Sequence, residues 1–172
     1  MKITYKQFFE HRRVPESSLY FLVGKPYHLQ NEVQFNIEFN LKAKDFDIKT
    51  YLIDSDVNLD QIRSNFETLS LFNEKKLLIL NVLSNSIPKS LLDFILNTSI
   101  PKDLKIIIKA GSQTSAFKRN KFYLHIEKNY CVIEFTELKG LMLQKWIENK
   151  FNKNKIKFTK DSLVKILEKN EG

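Results

Sequence analysis

The chain has 172 residues, a net charge of +8 and 42% hydrophobic residues, with 14 Phe and only four Gly and four Pro. That supplies one sizeable core with a small second unit beside it, and it excludes a disordered or loop-dominated chain. Membrane and secreted classes fit poorly: there is no apolar run long enough to span a bilayer, Met1–Glu10 mixes charges with its apolar residues, and the lone Cys131 excludes an internal disulfide. A cytoplasmic protein is the expectation.

In chain order, a short helix is expected at about Thr4–Glu10, followed by a strand at Leu19–Gly24. A helix over about 28–44 leads to a strand at Thr50–Asp54, and Asp54-Ser55-Asp56 reads as a turn. A helix over 58–69 follows, with Leu59, Ile62, Phe66 and Leu69 at i, i+3, i+7 and i+10 on one face. Leu71 and Phe72 lie beyond that stripe, where a loop should begin before the strand Leu77–Val82.

The next helix spans about 88–98, with Pro88 in its tolerant first turn and Pro101 as a stop signal. A strand at Leu104–Lys109, a helix over about 113–128 and a strand at Cys131–Phe135 complete the series. The strands are almost continuously apolar, as expected when both faces are covered. Five alternations of strand and helix predict an α/β fold, a five-stranded, mostly parallel sheet between helices.

After Phe135 the pattern turns helical. Leu143, Trp146, Ile147 and Phe151 share one face of a helix over 139–154, and Thr159 is placed to cap a second helix carrying Leu163, Ile166 and Leu167. No third helix follows to close that core. The expected organisation is an α/β domain over residues 1–139 and a partial helical domain over 140–172, in a truncated chain. Residues 1–139 hold 20 Lys and Arg against 16 Asp and Glu, and residues 140–172 hold 8 against 4. The denser tail charge fits a nucleic-acid-binding module using its basic C-terminal helix. The abundance of Lys, Asn and Ile equally fits an AT-rich coding sequence. No basic run interleaved with aromatics forms a stacking platform.

The element order suggests the nucleotide-binding half of an AAA+ module, a P-loop NTPase-like fold, so its catalytic positions can be read one by one. A phosphate loop needs Gly-x4-Gly-Lys-Ser/Thr after the first strand. Here Gly24 is followed by Lys25-Pro26-Tyr27-His28 and then Leu29-Gln30-Asn31, so the second Gly, the Lys and the hydroxyl are replaced. The third strand ends Leu80-Asn81-Val82, without the acid that magnesium binding uses. No Ser-Arg-Cys segment supplies an arginine finger. Without Walker A and B residues, no intrinsic catalysis, no cofactor and no metal site are expected. His11, His28 and His125 lack ligand spacing, Asp45/Asp47 and Asp54/Asp56 read as solvated turns, and Cys131 reads as a buried strand thiol.

Two further features carry a resemblance. Leu69-Ser70-Leu71-Phe72 resembles the short peptides that dock into the bacterial sliding clamp, although Thr68 stands where those peptides carry Gln. The series Tyr20-Phe21-Leu22-Val23-Gly24, the helix opening Leu29-Gln30-Asn31-Glu32, the strand ending near Asp54, Ser70-Leu71-Phe72 and Leu77-Leu78-Ile79-Leu80 resembles the N-terminal part of the delta subunit of the bacterial DNA polymerase III clamp loader. The resemblance covers about the first 140 residues and loosens beyond them.

The resemblance implies a non-catalytic member of the polymerase III holoenzyme, a DNA-directed DNA polymerase. It would bind the beta sliding clamp and help open the ring at primer-template junctions in DNA replication. It implies the gamma/tau and delta prime subunits as further partners, primed DNA through the assembled complex, and no membrane. Leu71 and Phe72 would form an apolar plug, braced by Leu69 within Thr68-Leu69-Ser70. Gln61, Asn65, Asn73, Glu74 and Lys75 would stand on the rim.

Overall fold

The structure, a computed structural model, describes residues 1–54, 59–72 and 75–170, with side chains throughout except at 67–72 and 170. The elements are β1 (Lys2–Thr4), α1 (Tyr5–His11), β2 (Leu19–Gly24), α2 (Tyr27–Lys42), β3 (Phe46–Ile53), α3 (Asp60–Phe72) and β4 (Lys75–Val82). They continue as α4 (Lys89–Asn97), β5 (Leu104–Ala110), α5 (Lys121–Asn129), β6 (Cys131–Phe135), α6 (Gly140–Lys153) and α7 (Lys160–Asn170). Two compact units divide the chain, Met1–Thr136 and Glu137–Gly172.

In the first unit all strand pairs are parallel, in the order β1-β6-β2-β5-β4-β3. The sheet therefore has six strands where the sequence pattern gave five. The extra strand is β1, whose Lys2, Ile3 and Thr4 lie opposite Val132, Ile133 and Glu134. Three residues with one apolar member carry no periodicity, so the pairing rests on β6 rather than on a local pattern. β2 lies between β6 and β5 and is buried at every position, which explains its unbroken apolar run. β3 closes the opposite edge and starts earlier than expected, because its first half, Phe46-Asp47-Ile48-Lys49, alternates apolar with charged residues as a half-covered edge does.

The two faces of the sheet alternate residue by residue. Leu78, Leu80 and Val82 of β4 join Ile62 of α3, Leu91 and Ile95 of α4 and Phe122 and Ile126 of α5 in one cluster. Leu77 and Ile79 point the other way, toward the face covered by α2, whose buried residues are Leu29, Gln30, Val33, Ile37 and Leu41. The helix expected over 113–128 begins later. Phe117–Arg119 forms a short 3-10 turn, and Asn120 starts α5 by accepting the Tyr123 N–H at 2.8 Å. An Asn side chain satisfies a first-turn donor better than it serves a helix interior.

In the second unit α6 and α7 form a helical pair with Ile147 and Leu163 buried and the Phe151 and Phe158 rings 5.2 Å apart. Thr159 caps α7 by accepting the Ser162 N–H at 3.2 Å. Among the described residues no helix is long and apolar enough to cross a membrane.

Candidate docking helix and the strand-end crevice

Helix α3 runs to Phe72, not to residue 69, so Leu71 and Phe72 form its last turn rather than the start of a loop. The apolar stripe of the first half anchors it. Leu59 and Ile62 are buried, each worth about 1.5–3 kcal/mol of transfer from water. Phe66 meets the Phe94 ring of α4 edge-on at 5.2 Å, and the Arg63 guanidinium lies 5.7 Å from the same ring.

Asn65, expected on the rim, is instead 3% exposed. Its amide donates to the Gln61 carbonyl at 2.6 Å and to the Tyr51 hydroxyl at 3.0 Å. Its oxygen accepts from the Lys49 ammonium at 3.4 Å. Sequence periodicity missed this position, because a helix face that abuts the polar edge strand β3 accepts an amide where a central strand would demand an apolar group.

Gln61 is exposed, one turn before Asn65. Lys75, at the start of β4, is exposed and donates to the Lys44 carbonyl at 3.3 Å. Thr68, Leu69, Ser70, Leu71 and Phe72 occupy the last two turns of α3, and their side chains lie outside the described residues, as do Asn73 and Glu74. The proposed turn at Ser55 and Asp56 lies outside them too.

At the carboxyl ends of the strands, the segment after β2 shows what fills the phosphate-loop positions. Gln30 is fully buried, and its Nε2 donates to the carbonyls of Gly24 at 2.6 Å and Ala110 at 2.9 Å. Those two acceptors fix the amide orientation. They leave Oε1 buried without a partner, an acceptor that does not attract phosphate oxygens. Asn31 accepts from Lys109 at 2.6 Å, and Gln34 accepts from the same ammonium at 2.7 Å. Lys109 lies in register with Asn81, the residue standing at the acidic position. Burial holds the Lys109 pKa below the usual lysine range, although Glu38 opposes the shift. A lysine in register with Asn81 is unfavourable for a divalent cation there.

Gly24 takes φ +117°, and a Cβ there would run into the Phe135 carbonyl oxygen of β6. Cys131 is 1% exposed, and burial pushes its thiol pKa up to about 11, the reverse of what a nucleophile needs. Among the described residues no group of three or more His, Cys, Asp or Glu is placed to hold a metal ion.

No family model and no curated protein matches the chain. Among solved structures it is similar to the Bacillus subtilis DNA clamp loader delta protein (YqeN), with a TM-score of 0.56 and 19% identity, over 87% of this chain and 47% of that one. It is also similar to the Aeropyrum pernix ORC2 protein, with a TM-score of 0.51 and 11% identity, over 86% of this chain and 50% of that one. The chain thus spans about half the length of these structures. It shares its α/β fold, a parallel sheet with helices, with the clamp loader delta protein and the ORC2 protein.

Proposed function

We propose that the chain is the N-terminal part of a clamp-loader delta subunit that binds a DNA sliding clamp through the C-terminal end of α3 and biases the ring toward its open form. The observation that carries the proposal is the placement of Leu71 and Phe72 at the tip of a helix whose root is fixed at Leu59, Ile62 and Asn65, within a fold similar to that of a clamp loader delta protein. Burying one Leu and one Phe in a partner's pocket contributes about 3–6 kcal/mol. Micromolar binding needs about 8 kcal/mol, so the plug dominates and rim contacts, with Gln61 exposed nearby, supply the rest.

Ring opening then follows from differential affinity: a subunit that binds the open ring better than the closed one shifts the equilibrium by that difference. The chain itself contributes no phosphoryl transfer. Gln30 and Asn31 occupy the positions of the loop lysine and hydroxyl and are engaged in internal hydrogen bonds. Membership of a five-subunit loader with gamma/tau and delta prime, and contact with primed DNA, belong to the same proposal for the whole protein.

The test is a clamp carrying a fluorescence donor and acceptor across one ring interface. Adding the chain lowers energy transfer, and a Leu71→Ala/Phe72→Ala variant of unchanged thermal stability does not. Unchanged transfer at saturating wild-type chain contradicts ring opening.

A further inference from the structure

A groove of about 940 Å³ opens at the amino-terminal end of the sheet, opposite the crevice bridged by Gln30. Its apolar lining includes the partly exposed Ile3 of β1, Val14 and Pro15, with Tyr20 of β2 and Ile37 and Leu41 of α2 buried behind the surface. Its charged lining is one-sided: Arg12, Arg13, Lys44 and Lys105, with His11, stand against the single carboxylate of Glu16.

Two of these cations are already engaged. Arg12 pairs with Glu32 at 2.8 Å and lies over the Phe9 ring at 4.1 Å. Lys44 stands 4.0 Å from Glu16. Arg13 and Lys105 have no carboxylate partner among the described residues. They come from different elements: Arg13 is exposed after α1, and Lys105 is half-buried on β5. A half-buried lysine and an exposed arginine that line one groove, neither with a carboxylate partner among the described residues, complement a ligand that carries carboxylates and apolar groups together.

We propose that this groove binds an acidic peptide segment of a partner protein, with apolar side chains seated on the partly exposed Ile3, Val14 and Pro15 and carboxylates paired to Arg13 and Lys105. A nucleic-acid strand fits less well. Tyr20 is 5% exposed and its hydroxyl accepts the Ser17 N–H at 3.0 Å, which leaves the His11 imidazole alone among the lining rings for a base to stack on, short of a run of aromatic platforms. The size matches sites that enclose most of a ligand's surface, on the order of 300–1,000 Å³. The proposal is independent of α3, whose residues do not line the groove.

The experiment is fluorescence anisotropy with the 172-residue chain and a short fluorescein-labelled peptide of alternating Glu and Leu. A Gln/Leu peptide and a short oligothymidylate of equal charge serve as comparison probes. Saturable binding of the Glu/Leu peptide is expected, weakened by salt and about tenfold or more by Arg13→Gln combined with Lys105→Met. Lys105→Met keeps the buried aliphatic stem, and circular dichroism verifies the fold. Leu71→Ala/Phe72→Ala should leave this binding unchanged. The proposal is overturned by any of four results: no saturable Glu/Leu binding, equal binding of the Gln/Leu peptide, no effect of the double variant, or tighter binding of the oligothymidylate.

Discussion

The side-chain amide of Gln30 reaches the main-chain carbonyl of Ala110 at 2.9 Å, joining the first turn of α2 to the carboxyl end of β5. With the parallel bond to Gly24 at 2.6 Å, one neutral side chain closes the place where an NTPase of this fold would expose a lysine to phosphate. Gln30→Leu removes both donors and leaves buried carbonyls, so it should lower stability by about 2–3 kcal/mol in urea unfolding. Saturating ATP with magnesium should leave the Tm of the wild type unchanged. A ligand present at a hundred times its Kd would add about 2.7 kcal/mol.

Gly24 is irreplaceable for a backbone reason. Its φ of +117° is disfavoured for any L side chain, and a Cβ there meets the Phe135 carbonyl of the neighbouring strand. Gly24→Ala should cost about 3 kcal/mol or more, read as a fall in Tm, through strain at the centre of the sheet.

The root of α3 should be separable from its tip. Asn65→Ala breaks the bond to Tyr51 and should lower stability by about 1–2 kcal/mol. Tyr51→Phe should reproduce part of that loss, and the double variant should lose less than the sum of the two, because both delete the same contact. Chemical unfolding of the four proteins supplies the cycle.

Acid stability should depend on Glu134. Burial pushes its pKa up, but hydrogen bonds from Lys118, at 2.6 Å, from Tyr123, at 3.0 Å, and from Lys2 outweigh that and hold it below the usual carboxylate range. A folded-state pKa below the unfolded value means that the contribution is complete above the unfolded pKa. It is then lost as pH falls through the folded one. Glu134→Gln should therefore be less stable at neutral pH and show a flatter loss of stability on acidification, measured by Tm against pH.

The central strands were legible because burial on both faces writes a continuous apolar run: the Leu19–Gly24 and Cys131–Phe135 bounds agree residue for residue. The edges were not. β1 depends on pairing with Val132–Glu134, and the first half of β3 carries Asp47 and Lys49, which water tolerates only at an edge. At α3 the stripe of Leu59, Ile62 and Phe66 predicted the anchored face, but its polar member Asn65 depends on Tyr51, fourteen residues away, and no local pattern encodes it. The absence of a phosphate-loop lysine could be read from residues 24–31. That Gln30 and Asn31 are tied across the fold could not, because, Gly24 apart, their partners Ala110 and Lys109 lie on β5.

The most direct measurement is surface plasmon resonance of this chain on the sliding clamp of the same organism, beside Leu71→Ala/Phe72→Ala of unchanged Tm. Micromolar or tighter binding by the wild type is expected, with a loss of about a hundredfold or more in the variant. Equal binding of the two proteins, or none by the wild type, would contradict the assignment of the α3 tip as the clamp contact.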